Sequence, residues 1–137
     1  MPDSKNILIQ QENSSVNGTV EISPRVLEII LGIAAREVDG VYDMRDSLSS
    51  TLNSLFGLEN HGKGVTIEQK DDGLIADVYA YFDYGISVPK VSLKLQKALK
   101  EQLVFMTDLK LKDINVHVVG LVAKKADGNI EGIKISE

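Results

Sequence analysis

Residues 23–38 read Ser-Pro-Arg-Val-Leu-Glu-Ile-Ile-Leu-Gly-Ile-Ala-Ala-Arg-Glu-Val, and the rest of the fold is organised around this segment. Ser23 is a typical helix N-cap, Pro24 suits the first helical position, and Gly40 follows the predicted end of the helix. Apolar side chains occur around most of the helix circumference, a pattern typical of a helix that is buried on more than one side. We therefore predict a central helix that needs packing partners from the rest of the chain.

The composition bounds the class of protein. The 137 residues fit one domain with one core. Lysine and arginine total 15 against 20 aspartate and glutamate residues, and the net charge of -5 argues against broad binding to nucleic-acid phosphates. The absence of cysteine excludes disulfides and thiolate chemistry, and it is compatible with a reducing cytosol.

The chain shows no pattern of a secreted or membrane-spanning protein. The amino terminus lacks a signal-peptide pattern. The apolar runs are also shorter than the roughly 20 residues that span a bilayer. We expect a cytoplasmic protein whose membrane contact is peripheral or goes through a partner.

Strand patterns occur in the sequence on both sides of this helix. Residues 19–22 form a short predicted strand before the helix, and residues 41–44 form another after it. Residues 1–17 are a mostly polar arm; Ile7 to Ile9 have the pattern of a short strand, but we expect the arm to be loosely held.

The second half of the chain reads hairpin, helix, strand. Residues 65–70 and 74–82 alternate in polarity around an Asp-Asp-Gly turn. Ser87 or its neighbour caps a second helix, which has Pro89 in its first turn and runs to about Asp108, with a core stripe that includes Phe105. Residues 112–123 form an apolar last strand, and residues 125–137 form a flexible tail.

Together these elements predict an α+β fold in a single domain over residues 18–124. The architecture is a two-layer sandwich, with two long helices on one face of a sheet of about five strands. The order along the chain is strand-helix-strand, then hairpin-helix-strand.

One apolar surface of this fold needs a covering partner. Ile75, Tyr79 and Tyr81 share the sheet face turned away from the helices, and Val119 and Leu121 extend it. One cover is a short amphipathic helix over residues 47–57, another is a different molecule, and a small-molecule groove is the third alternative. The helix side of this candidate interaction surface comprises Leu48, Leu52, Leu55 and Phe56.

The sequence predicts no catalytic residue, metal site or cofactor. His61 and His117 are the only histidines, and neither lies in a metal-ligand spacing. No Gly-x-Ser-x-Gly motif is present, and the acidic pair at 71–72 is explained by the hairpin turn. The glycine-rich segment 60–64, with His61 and Lys63, is a weak candidate for an anion-binding loop, because it precedes a strand rather than a helix.

Five ordered blocks, at residues 18–24, 32–41, 60–65, 84–91 and 114–120, give the chain a family resemblance. It resembles the alkaline shock protein family of Gram-positive bacteria, also called the envelope stress response family. The Asn-His-Gly-Lys-Gly block at 60–64 is similar to the subgroup encoded beside biotin carboxylase and linked to fatty-acid synthesis. This resemblance implies a cytosolic, non-catalytic stress or regulatory protein, with no catalytic residues to carry over.

Two classes of function follow from these observations. The first is a regulatory protein that acts through protein-protein interaction in envelope homeostasis or fatty-acid synthesis, with an acetyl-CoA carboxylase subunit or a second copy of itself as candidate partners. The alternative is a small-molecule or nucleic-acid binding module that uses Lys63 and the face carrying Tyr79 and Tyr81.

Overall fold

The computed structural model describes residues 6–9, 16–45 and 64–123, together with the backbone of residues 133–136. Their elements, in chain order, are β1 (Ile7–Ile9), β2 (Val20–Ile22), α1 (Pro24–Arg36), β3 (Val41–Met44), β4 (Val65–Lys70), β5 (Gly73–Asp83), α2 (Val88–Thr107), β6 (Leu111–Ala123) and β7 (Ile133–Ser136).

Both predicted helices begin at the predicted caps. The backbone nitrogen of Val26 donates to Ser23 Oγ at 3.3 Å, and that of Lys90 donates to Ser87 Oγ at 3.4 Å. Each helix has proline in its first turn, where the missing N–H costs no intrahelical hydrogen bond. Local capping chemistry therefore sets where α1 and α2 start.

The main sheet has five strands in the order β3-β5-β6-β7, with β4 also pairing with β5. The β4–β5 hairpin is antiparallel and turns at Asp71–Asp72, as predicted. Strands β5 and β6 are parallel, so α2 forms the crossover between them. The predicted α+β sandwich with a sheet of about five strands is confirmed.

The core lies between the two helices and one face of this sheet. Strand β5 contributes Ala76, Val78, Ala80 and Phe82, all fully buried. The helices contribute fully buried leucines, which are Leu27, Leu31, Leu95, Leu99 and Leu103. In the described part of the chain, neither helix has the length and apolar character that crossing a bilayer requires.

The second helix corrects one core assignment. Phe105 is 83% exposed, so its place in the predicted core stripe was wrong. The buried positions of α2 recur every four residues, from Val91 to Thr107. Phe105 lies two residues beyond Leu103, which places it on nearly the opposite side of a helix with 3.6 residues per turn.

The two ends of the chain carry short strands. Strand β1 pairs antiparallel with β2, and Ile7 is only 4% exposed, so the segment 7–9 of the arm is held in place rather than loose. Strand β7 pairs antiparallel with the end of β6, within the region expected to be a flexible tail. In both cases a partner strand supplies hydrogen bonds that the sequence pattern does not reveal.

Polar side chains of the helices reach the backbone at two edges of the sheet. Glu28 on α1 accepts a hydrogen bond from the Ile67 backbone nitrogen in β4, at 3.2 Å. Gln96 on α2 donates from Nε2 to the Ile114 carbonyl oxygen in β6, at 2.9 Å. These contacts tie α1 to β4 and α2 to β6.

Candidate functional site

The candidate site lies on the sheet face turned away from the helices. Alternation along β5 places Ile75, Asp77, Tyr79 and Tyr81 on this outer face, where all four are half-buried. The parallel register with β6 sets Asp77 beside Asn115 and Tyr79 beside His117.

Tyr79 is the centre of this face. The His117 ring stacks on it, with 4.3 Å between ring centroids and an angle of 11° between the ring planes. The Arg45 guanidinium carbon lies 4.1 Å from the Tyr79 ring centroid. Since β3 and β6 flank β5 on opposite sides, the phenol ring is held between a cation and an imidazole.

Asp77 fixes the imidazole through a hydrogen bond. His117 Nε2 lies 3.0 Å from Asp77 Oδ1, and Asn115 Nδ2 donates to the same oxygen at 3.2 Å. A carboxylate at this position favours the tautomer with the proton on Nε2. We name Arg45, Asp77, Tyr79, Asn115 and His117 together the Tyr79 cluster.

Backbone contacts hold the Tyr79 cluster at the junction of three strands. The Arg45 nitrogen donates to the Tyr79 carbonyl at 3.0 Å, and the Tyr79 nitrogen donates to the Gly64 carbonyl at 2.7 Å. Gly64 has φ +81°, and a Cβ there would lie 2.7 Å from the Tyr79 oxygen. The last glycine of the Asn-His-Gly-Lys-Gly block therefore allows β4 to approach β5 closely at Tyr79.

The structure places the predicted interaction residues unevenly. Ile75, Tyr79 and Tyr81 lie on the outer face, as predicted. Leu121 does not, because the register shifts between Ala80 and Tyr81, so that Leu121 pairs with Phe82 on the core side. Other candidates fall outside the described residues: Leu48, Leu52, Leu55, Phe56, His61 and Lys63. The partner of the outer face stays a prediction.

Sequence reasoning missed most of the Tyr79 cluster. It considered His117 only as a possible metal ligand, and it did not single out Arg45, Asp77 or Asn115. Alternation within β6 does put Asn115 and His117 on one face. Only the register of β6 against β5 brings them beside Asp77 and Tyr79.

The Tyr79 cluster combines a cation, a phenol, an imidazole and a carboxylate on one sheet face. Groups of these kinds can stack and form hydrogen bonds with a second surface. Among the described residues, no group of three or more histidine, cysteine, aspartate or glutamate side chains is arranged to hold a metal ion.

Comparison with known proteins adds a family assignment to this geometry. A model of the alkaline shock protein 23 family, described as having a cell envelope-related function, matches residues 12–123. Protein YqhY of Bacillus subtilis is 39% identical over 137 residues, covering 100% of this chain and 98% of that protein.

Two relatives from Streptococcus pyogenes extend the comparison. Protein Spy1535 is 39% identical over 109 residues, covering 79% of this chain and 82% of that protein. The stress response regulator gls24 homolog is 26% identical over 113 residues, covering 82% of this chain and 63% of that protein. No solved structure matches the chain.

Proposed function

The chain belongs to the alkaline shock protein 23 family, which has a cell envelope-related function, and we propose that it is a non-catalytic regulator that acts by binding another protein. A stress-related and envelope-related role agrees with the similarity to a stress response regulator. The binding mode and the partner are the new parts of this proposal.

The Tyr79 cluster is the observation that carries the proposal. Aromatic residues and arginine are enriched at the centres of protein interfaces, and this cluster holds an arginine stacked on a tyrosine on a half-exposed sheet face. The hydrogen bonds from Asn115 and His117 to Asp77 hold the side chains in one arrangement before a partner binds. Such preorganisation lowers the entropic cost of binding.

We propose an acetyl-CoA carboxylase subunit as the partner, which would connect the envelope role to fatty-acid synthesis. The support is the Asn-His-Gly-Lys-Gly block at residues 60–64, similar to that of the subgroup encoded beside biotin carboxylase. Its last residue, Gly64, accepts a hydrogen bond from the Tyr79 backbone nitrogen at the proposed binding face.

The experiment combines a variant of the outer face with a matched control on α2. Tyr79→Ser with Tyr81→Ser removes two aromatic rings from the face, whereas Leu93→Ser changes a side chain that is 59% exposed on the helix side. Binding to purified acetyl-CoA carboxylase and the carboxylation rate are measured for wild type and both variants, after circular dichroism confirms folding.

We expect the tyrosine double variant to lose binding and any effect on the carboxylation rate, while Leu93→Ser behaves as wild type. Wild-type protein that neither binds the carboxylase nor alters its rate would remove this partner. In a strain that lacks the gene, the double variant should fail to restore tolerance of envelope stress. Full restoration would show that the outer face is not needed for the proposed role.

A further inference from the structure

The exposed side of α2 carries four lysines, which are Lys90, Lys94, Lys97 and Lys100. At 3.6 residues per turn, all four lie within about 120° of one another around the helix, so they form one stripe along it. We name these four residues the α2 lysine stripe. It extends over about 15 Å of the helix axis.

The ammonium groups of the α2 lysine stripe lack ion-pair partners within the part of the chain that the structure describes. The only acidic residue of α2 is Glu101, so four lysines and one glutamate give this helix a net charge of +3. The whole chain has a net charge of -5. The α2 lysine stripe is therefore a local basic surface on an acidic protein.

This placement of charge is unfavourable for the helix by itself. Like charges three or four residues apart on a helix repel each other. Lys90 also lies in the first turn, which contains no acidic residue, near the positive end of the helix dipole. A solvated helix face usually mixes both signs of charge. The α2 lysine stripe becomes favourable when an anionic surface binds to it.

Exposed apolar side chains flank the α2 lysine stripe. Phe105 is 83% exposed and Leu93 is 59% exposed, and they lie about 60° to either side of Lys90 around the helix. A mostly apolar groove of about 530 Å³ adjoins the stripe, lined by Lys97, Lys100, Glu101, Val104 and Phe105. Cationic and apolar side chains on one helix face are typical of helices that lie in the interface of a bilayer, because lysine stems reach past apolar groups to the lipid phosphates.

We propose that α2 docks the protein on the surface of a bilayer that contains anionic lipids. The α2 lysine stripe contacts the lipid phosphates, and Phe105 and Leu93 enter the boundary between headgroups and acyl chains. Charge complementarity selects an anionic surface, and the exposed phenyl ring selects one with an apolar layer beneath its charges, which a nucleic-acid backbone does not offer.

Docking through α2 also sets the orientation of the molecule. Helix α2 packs on the core face of the main sheet, whereas the Tyr79 cluster lies on the opposite face. The Tyr79 cluster would therefore point away from the bilayer and stay accessible to a protein partner. The lipid contact itself does not depend on that partner, so the experiments below use lipids alone.

Vesicle flotation tests the contact with the full chain. We expect wild type to float with vesicles of equal parts phosphatidylglycerol and phosphatidylcholine, and to remain unbound with phosphatidylcholine alone. Each lysine near an anionic surface strengthens binding by about fivefold. Added salt should weaken the binding, because it screens the attraction between the charges.

Paired variants locate the contact on the α2 lysine stripe. Lys94→Gln with Lys97→Gln should lower the partition coefficient at least about tenfold. Lys70→Gln with Lys110→Gln changes two exposed lysines outside α2, has the same effect on net charge, and should bind as wild type. Glutamine and lysine have similar helix propensity, so the α2 variant should be at least as stable as wild type in urea.

A second pair of variants tests the apolar part of the contact. Phe105→Ser should lower the partition coefficient by about threefold or more, because it removes the ring that enters the bilayer. Phe105→Leu keeps an apolar side chain at this position and should retain most of the binding.

A fluorescent label tests the orientation, since the chain has no cysteine of its own. Glu101→Cys places a label on the exposed side of α2, and Glu68→Cys places one on β4, in register with Ile75 on the outer face. Each change removes one carboxylate, so the two variants have equal net charge. With an environment-sensitive fluorophore, anionic vesicles should shift the emission to the blue at position 101 and leave it unchanged at position 68.

Three results would overturn the proposal. The first is wild-type protein that binds phosphatidylglycerol vesicles no better than phosphatidylcholine vesicles, including the case in which it binds polyglutamate instead, which would make α2 a protein-docking surface. The second is an equal loss of binding for the α2 lysine variant and its control. The third is an emission shift at position 68 as large as that at position 101.

Discussion

At the scale of single residues, the absence of a Cβ atom at Gly64 allows the strands to meet closely at the candidate site. Its φ of +81° favours glycine, and a Cβ would lie 2.7 Å from the Tyr79 oxygen and 2.9 Å from Met44 Cβ. We expect Gly64→Ala to lower the free energy of unfolding by about 3 kcal/mol or more, from backbone strain together with the steric clash. Urea denaturation measures this loss.

Gly85 provides the matched control for that substitution. It also has a positive φ, of +100°, but a Cβ there meets nothing within 4 Å. Gly85→Ala should therefore cost only the backbone strain, about 1 to 2 kcal/mol. Equal losses for the two variants would mean that the steric clash with Tyr79 and Met44 adds nothing to the cost of the Gly64→Ala change.

At the scale of elements, the contact between α1 and β4 is sensitive to pH. Burial raises the pKa of Glu28, although the hydrogen bond from the Ile67 backbone and the charge of Arg25 oppose the shift. The folded state thus holds this proton more tightly than the unfolded state, whose value is near 4.5. The contribution of Glu28 to the free energy of unfolding therefore decreases as the pH rises from about 4.5 through the pKa of the folded state.

Glu28→Gln should remove this dependence, because its Oε1 atom can still accept the Ile67 bond without ionising. We expect the stability of wild type relative to Glu28→Gln to fall across that pH interval, as followed by urea denaturation at several pH values. Glu37→Gln, an exposed change of the same charge at the end of α1, is the control. A wild-type advantage that grows with pH would contradict the expected sign.

At the scale of the whole molecule, one core joins the helices to the main sheet. Leu99 is fully buried in it, whereas Leu93 on the same helix is 59% exposed. We expect Leu99→Ala to lower the free energy of unfolding by about 2 to 5 kcal/mol. Leu93→Ala should change it by less than about 0.5 kcal/mol.

Fluorescence of the tyrosines and far-ultraviolet circular dichroism should report one shared unfolding transition. Separate transitions would show that the core is divided.

Features that depend on near neighbours in the chain were predictable from the sequence alone. Ser23 with Pro24, and Ser87 with Pro89, placed the helix starts, and the Asp-Asp-Gly turn placed the hairpin. Period-2 alternation in β5 correctly separated Tyr79 and Tyr81 from the core. These features are legible because a cap or a turn is satisfied within a few residues.

The register of β6 against β5, and with it the composition of the Tyr79 cluster, depends on the three-dimensional packing. The pairing of β1 with β2 and that of β7 with β6 depend on it as well. His117 and Asp77 are 40 residues apart, and the register shift beyond Ala80 turns Leu121 to the core. Such pairings depend on the combined packing of distant segments, and a shift of one residue exchanges the faces of a strand. A periodic pattern gives the two faces of each strand, but the contacts between strands choose which side chains meet.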